Sequence, residues 1–450
     1  MKITKIEIKD FHQFKDLTID LTYPKGHTKE GQPLDKVCFI GQSGTGKTSL
    51  LELIPKFIYD YGTRFIRKLS NVDFENKLNA KIVFGLQNQY SANLTIDDMF
   101  GFFSLGNWKD DLENLLEIEI SDYYYSKWLT DVSNKSIYFP ATLNFDIEFG
   151  TEYKLKDSLF IDFGLEKVAS VWSLLLVKIQ KYQERELQIR QEISKTVEQS
   201  SNSLEIIQKA LKNLEDFKKV EFNPIEDIAE NCLNPLLLPF KLRVKTDLDI
   251  KSKEDIGFIK VEDFNGNEIP HGLWSTGTKQ VILSALPLYL LKPKHSVVLF
   301  DEPERSLYPD MQRFIVDYYA KLTDNCQFFY ATHSPIIASN FEPWEIVELK
   351  FNKEGYIYRE QYYEGENHVD NYKWNPKHMR WDDILQRIFD MEDDGSPDRK
   401  ILLDELASKN VKYKKLKKLG KEDSDEAKEI IKRISYLSKE LSKWELAKWD

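Results

Sequence analysis

The stretch "KVCFIGQSGTGKTSLLELI", residues 36–54, constrains the fold of this chain more than any other. An apolar run ends at Gly41, a glycine-rich break follows, and apolar residues then recur at helical spacing. Gly41, Gly46, Lys47 and Thr48 satisfy G-x-x-x-x-G-K-[ST] between a strand and a helix. Glycines let backbone N–H groups curl around a phosphate chain, and Gln42, Ser43, Gly44, Thr45 and Ser49 complete the cradle. Lys47 would reach the β and γ oxygens, and the Thr48 hydroxyl would ligate Mg²⁺. The expected ligands are therefore a polyphosphate chain and Mg²⁺.

Three later segments fit the same chemistry. "SVVLFDEPE" delivers Asp301 and Glu302 at the end of four apolar residues, Val297–Phe300. A buried strand ending in a carboxylate can hold the metal's water shell, the role expected of Asp301. Glu302, one residue on, points the other way and could polarise the attacking water. "LWSTGTKQ" places Ser275, Thr276 and Gly277 at the start of an apolar helix, an anion-binding end suited to a γ-phosphate. "FFYATHSP" is a second buried strand, and its His333 is a candidate γ-phosphate contact. The expected catalytic set is Glu302, His333 and Lys47.

Around these motifs the chain reads as α/β. Residues 1–165 form one half of a nucleotide-binding head and residues 221–350 the other, since strands resume after a helical stretch. Between them, residues 166–220 carry Leu175, Ile179, Tyr182, Ile189, Ile193 and Val197 at helical steps. "EQSSNS" interrupts the pattern before it resumes, which suggests a helical hairpin or two packed core helices. Residues 351–450 read as a strand pair and a Lys/Glu-rich helical tail, either a solvated amphipathic face or a partner-binding one. No apolar run approaches the roughly 18 residues that would suggest a membrane span. Cys38, Cys232 and Cys326 form no C-x-x-C pair, so a disulfide framework is not expected and a cytoplasmic location is. A net charge of −11 disfavours a nucleic-acid coat but leaves room for a local basic groove.

With these residues assembled, the chain resembles the ATP-binding cassette ATPases of the SMC and RecF type. The resemblance rests on Gly41–Thr48, "WSTGTKQ" as signature, "VVLFDE" as Walker B, "ERSLYP" (Glu304–Pro309) as D-loop and His333 as switch histidine. The opening "ITKIEIKDFHQFKDLTIDL" is similar to the group's first β-ribbon. The resemblance implies an α/β P-loop head of cassette type, assembled from both chain halves around an inserted helical hairpin, with a C-terminal helical tail. It further implies head-to-tail homodimers, or higher assemblies, in which Ser275 and Gly277 act on ATP held by the partner. Ser306 and Leu307 would then line the seam. Trp274 and Thr276 depart from the common LSGG signature, and Gln87 and Gln89 are candidate Q-loop residues.

The segment "RWDDILQRIFDMEDDGSPDRKILLDELASK" looks like the ending of stand-alone bacterial OLD-like and Septu PtuA-like defence ATPases. That resemblance implies an ATP-driven switch controlling a separately encoded effector such as a nuclease. The alternatives are a RecF-like clamp with DNA as partner, or an ATP-binding adaptor with little turnover. A membrane partner is not expected.

Overall fold

The computed structural model describes residues 2–11, 13–54, 79–86, 90–95, 135–143, 160–164, 169–199, 208–209, 212–217, 223–246, 259–360, 375–389, 391 and 395–446. They fall into two compact units, Met1–Met379 and Arg380–Asp450.

An 11-stranded sheet organises the first unit. Its strands are β1 (Lys2–Phe11), β2 (Phe14–Asp20), β3 (Lys36–Gly41), β4 (Asn79–Leu86), β5 (Tyr90–Thr95), β6 (Ser136–Phe139) and β7 (Phe160–Asp162) from the first half of the chain. A small antiparallel sheet of β8 (Leu242–Val244), β9 (Val261–Asp263) and β10 (Glu268–Ile269) stands apart. The second half returns to the large sheet with β11 (Val297–Asp301), β12 (Gln327–Ala331), β13 (Ile346–Phe351) and β14 (Ile357–Glu360). The spatial order is β5-β4-β1-β2-β14-β13-β3-β12-β11-β6-β7. The stretch from β13 to β7 is parallel, and β1, β2, β4 and β5 pair antiparallel.

This order joins the chain halves at the strands that matter. β3, which ends in the glycine-rich loop, lies between β12 and β13, more than 280 residues later in sequence. The α/β P-loop fold read from the sequence is the one found. A strand pair is expected beyond Lys350; the pair found is β13, which already begins at Ile346, and β14, both within the large sheet.

Burial explains the two sequence textures. β11 and β12 are buried at every position, as parallel strands covered on both faces must be. β2 instead alternates, with Phe14, Leu17 and Ile19 inward and Lys15, Asp16, Thr18 and Asp20 outward. Phe300 of β11 stacks on Phe139 and on Tyr319, each at 4.6 Å between ring centroids. Gln327, fully buried at the start of β12, donates to the carbonyls of Ile3 and Leu34, both at 2.9 Å, and accepts from Ile3 N at 2.6 Å. One amide side chain thus ties the N-terminal strand to the core.

Helix α1 (Ala169–Gln199) has 31 residues and rises about 46 Å. Val171, Leu175 and Ile179 are buried, whereas the described residues beyond Tyr182 are largely exposed. Tyr182 stacks on Phe217, which belongs to helical residues 212–217, at 5.3 Å. Helix α2 (Thr276–Leu291) is buried along most of its length.

In the second unit, α3 (Pro397–Lys418) packs on α4 (Asp425–Leu446). Ala427, Ile430 and Leu437 are buried, and Arg433 forks onto both oxygens of Glu405 at 2.8 and 2.7 Å. No helix among the described residues is long and apolar enough to cross a membrane. All three cysteines are free and buried.

Glu345 gives a testable consequence of burial. It caps the turn before β13 by accepting from Glu342 N at 2.8 Å, and desolvation pushes its pKa up to about 7. Between its ordinary value of 4.5 and 7 the folded chain holds a proton that the unfolded chain releases, so stability falls as pH rises through that window. The full cost is about 3 kcal/mol. Glu345→Gln keeps an acceptor without the charge. Its melting temperature is expected to exceed the wild type's by a few degrees at pH 8 and by little at pH 5. An equal difference at both pH values would show that Glu345 titrates normally.

Candidate nucleotide site

The glycine-rich loop closes at the C-terminal end of β3. Gly41, Gly44 and Gly46 have φ of 143°, 86° and 74°, backbone conformations that L side chains rarely adopt. Two of them are also crowded. A Cβ on Gly41 would stand 2.3 Å from Leu349 O, and one on Gly46 would stand 2.4 Å from the Phe14 ring. The tip of the β1–β2 ribbon therefore buttresses the loop, and Gln13 donates to Gly44 O at 2.7 Å. Sequence reasoning missed Gln13 and Phe14, because nothing in the ribbon's alternation marks which residues meet the loop. Thr45 turns inward and donates to Gln42 O at 2.8 Å, while Gln42, Ser43 and Gly44 are exposed at the mouth. The helix that follows covers residues 47–54, with Ser49 in its first turn.

Lys47 lies across the loop, donating to the carbonyls of Gly41 at 3.0 Å and Gln42 at 3.1 Å. Burial lowers its pKa, with Glu302 and Asp301 opposing that shift. Thr48 Oγ1 donates to Asp301 Oδ2 at 2.9 Å, which brings the first motif onto the end of β11. Asp301 Oδ1 is buried and has no hydrogen-bond partner among the described residues. Desolvation raises its pKa, and a bound cation would favour its charged form. The donor set fits Mg²⁺, which prefers one or two protein oxygens together with water and substrate phosphates. Thr48 and Asp301 would hold it, and it would neutralise charge on the β and γ oxygens.

Glu302 follows in the left-handed region at φ 46°, an uncommon conformation for a branchless acid side chain in a turn. Its backbone N–H donates to Ala331 O at 2.9 Å, which holds the turn against the end of β12. His333 Nε2 lies 3.5 Å from Glu302 Oε1. Burial and the neighbouring Glu304 push the Glu302 pKa up to about 8, and burial lowers that of His333. Both shifts disfavour the charged forms, so burial works against an ion pair at this contact. A carboxyl poised in this way becomes a base when a nearby cation favours its charged form.

The signature residues open α2. Ser275 is the N-cap, its Oγ accepting from Thr278 N at 3.0 Å, and both Ser275 and Thr276 are exposed. Gly277 is buried, and a Cβ there would stand 2.5 Å from Ser306 O. Its glycine allows the D-loop to approach closely. Leu307 is buried within its own head, whereas Tyr308 is 67% exposed, so Tyr308 has the outward position that the sequence suggested for Leu307. Trp274 is also buried, donating to Ile269 O at 2.9 Å, so it anchors the signature to β10. Gln87 and Gln89 lie outside the described residues.

The structure thus joins Lys47, Thr48, Asp301, Glu302 and His333 through direct contacts or charge coupling. Ser275, Thr276 and Gly277 form a separate group with the D-loop. The family model that matches, over residues 1–338, is that of the AAA ATPase domain. The chain belongs to that ATPase family. No curated protein matches it. Similar solved structures include an SmcHead bound to the C-winged helix domain of ScpA, at 13% identity, 80% of this chain, 97% of that chain and TM-score 0.38. A second is an Smc head with an extended coiled coil bound to the C-terminal domain of ScpA, derived from Pyrococcus furiosus. It shows 13% identity over 80% and 96% of the two chains, with TM-score 0.37. The SMC head domain from Thermotoga maritima shows 12% identity over 80% and 98%, with TM-score 0.36.

Proposed function

We propose that this ATPase binds ATP with Mg²⁺ in the Gly41–Ser49 cradle, hydrolyses it with Glu302 as base, and works as a nucleotide-driven switch. The observation that carries the reading is the bond from Thr48 to Asp301, with the second Asp301 oxygen buried and unpaired. Lys47 supplies the charge for the β and γ phosphates, and His333 meets the γ-phosphate beside Glu302. Ser275, Thr276 and Gly277 serve a second head in a head-to-tail dimer. Their exposed helix start, which carries no acidic residue in its first turn, supports that role. The resemblance of residues 380–409 to stand-alone defence ATPases supports a switch that licenses a separately encoded effector in antiphage defence.

The direct test is nucleotide binding and turnover by the full chain. The wild type is expected to hydrolyse ATP only with Mg²⁺. Lys47→Ala should weaken ATP binding by roughly 30-fold, as expected for a charged hydrogen bond worth about 2 kcal/mol. Affinity within twofold of wild type would show that ATP does not occupy this loop.

A further inference from the structure

Glu304 is not one of the residues that the P-loop chemistry requires, yet three parts of the site converge on it. Its Oε1 accepts from the Thr332 hydroxyl at 2.5 Å and from His333 N at 3.1 Å. These bonds cross from the turn after β11 to the segment after β12 that presents the switch histidine. Its Oε2 is buried and has no hydrogen-bond donor among the described residues, and the Glu302 carboxyl is its acidic neighbour. The Glu304 backbone also serves the D-loop, accepting from Leu307 N at 2.8 Å. Glu302 meanwhile is held at φ 46°, a conformation that persists only where its surroundings enforce it.

We propose that Glu304 is a positioning residue for ATP hydrolysis, fixing the Glu302 carboxyl and the His333 backbone in one arrangement. This inference rests on the ATPase reading above. The chemistry favours a side chain with two polar ends at this place. One oxygen takes both donors of the histidine segment, and the carboxyl neighbours Glu302. Glutamine can reproduce both contacts, with its oxygen accepting from Thr332 and His333 and its amide donating to Glu302. Alanine leaves the Thr332 hydroxyl and the His333 N–H without that acceptor and leaves Glu302 unguided. Aspartate keeps the charge but is one methylene too short to span the two sides. Glu304 makes no hydrogen bond to residues 41–48 among the described residues, so ATP binding should not depend on it.

The test compares full-length wild type, Glu304→Ala, Glu304→Asp and Glu304→Gln. It reads steady-state kcat and KM together with the affinity for a fluorescent ATP analogue. Glu304→Ala and Glu304→Asp are expected to lose about 10- to 100-fold in kcat, the scale of a misplaced catalytic group. Analogue affinity should stay within threefold, and Glu304→Gln should recover to within threefold of the wild-type kcat. The aspartate variant carries the comparison if the alanine variant does not fold. Wild-type kcat in the shortened variants, affinity falling in step with kcat, or a glutamine variant as slow as the others would each overturn the inference. A wild type that binds the analogue without hydrolysing ATP would overturn the hydrolysis reading and this inference together.

Discussion

Glu302→Gln is expected to slow ATP turnover by roughly 10²–10⁴-fold while ATP stays bound, the range for removing a general base. Glutamine nearly matches glutamate in shape but cannot accept the proton of an attacking water. The contacts expected to hold the nucleotide belong to other residues. The loop is shaped by Gly41, Gly44 and Gly46, Lys47 lies across it, and Thr48 is fixed by Asp301. None of these depends on the Glu302 side chain for a hydrogen bond. A head that closes on ATP and reopens only after hydrolysis should then remain closed. Size-exclusion chromatography with ATP and Mg²⁺ is expected to shift the variant to a dimer or higher assembly, while wild type returns to its starting state as ATP is consumed. Turnover within threefold of wild type would remove Glu302 from the mechanism and return attention to Asp301.

What the sequence revealed of this site follows from the range of each interaction. Gly41–Thr48 and Val297–Glu302 are contiguous, and each carries its own strand or helix context, so spacing alone was enough to propose their chemistry. Their meeting was legible as well, since an α/β pattern that resumes after a helical insertion implies one domain built from both halves, and in the sheet β3 and β11 flank β12. The supporting side chains were not legible. Gln13 reaches Gly44 across 31 residues, Glu304 reaches His333 across 29, and Gln327 reaches Ile3 across 324. No local pattern distinguishes such polar residues from solvated ones. Gly46 shows the division well. The motif requires a glycine there, but the Phe14 ring that would collide with a Cβ becomes visible only when the ribbon is folded onto the loop. Leu307 shows the reverse, since the motif suggested an outward residue and packing against Gly277 turned it inward.

The largest qualitative effect is expected from two inactive variants mixed together. Ser275 is exposed at the start of α2, with its side chain bonded to Thr278 and its carbonyl accepting from Lys279 N. Ser275→Arg loses the N-cap, at about 1 kcal/mol, and adds bulk and charge to the surface proposed to meet a second head. The variant should bind ATP normally, because its own Gly41–Ser49 cradle is untouched, yet it should hydrolyse almost none. Lys47→Ala should be inactive for the opposite reason, with an intact signature and a defective cradle. In the proposed head-to-tail dimer each ATP would lie between the cradle of one chain and the signature of the other. A mixed dimer therefore places both lesions at one site and leaves the second site whole. Random pairing at equal amounts should restore about a quarter of the wild-type rate, since half the dimers are mixed and each has one working site. The measurement is ATP turnover across mixing ratios, with a peak near equality. Verified mixed dimers without activity at any ratio would show that Ser275 does not complete the partner's site. The chain would then hydrolyse ATP within a single head.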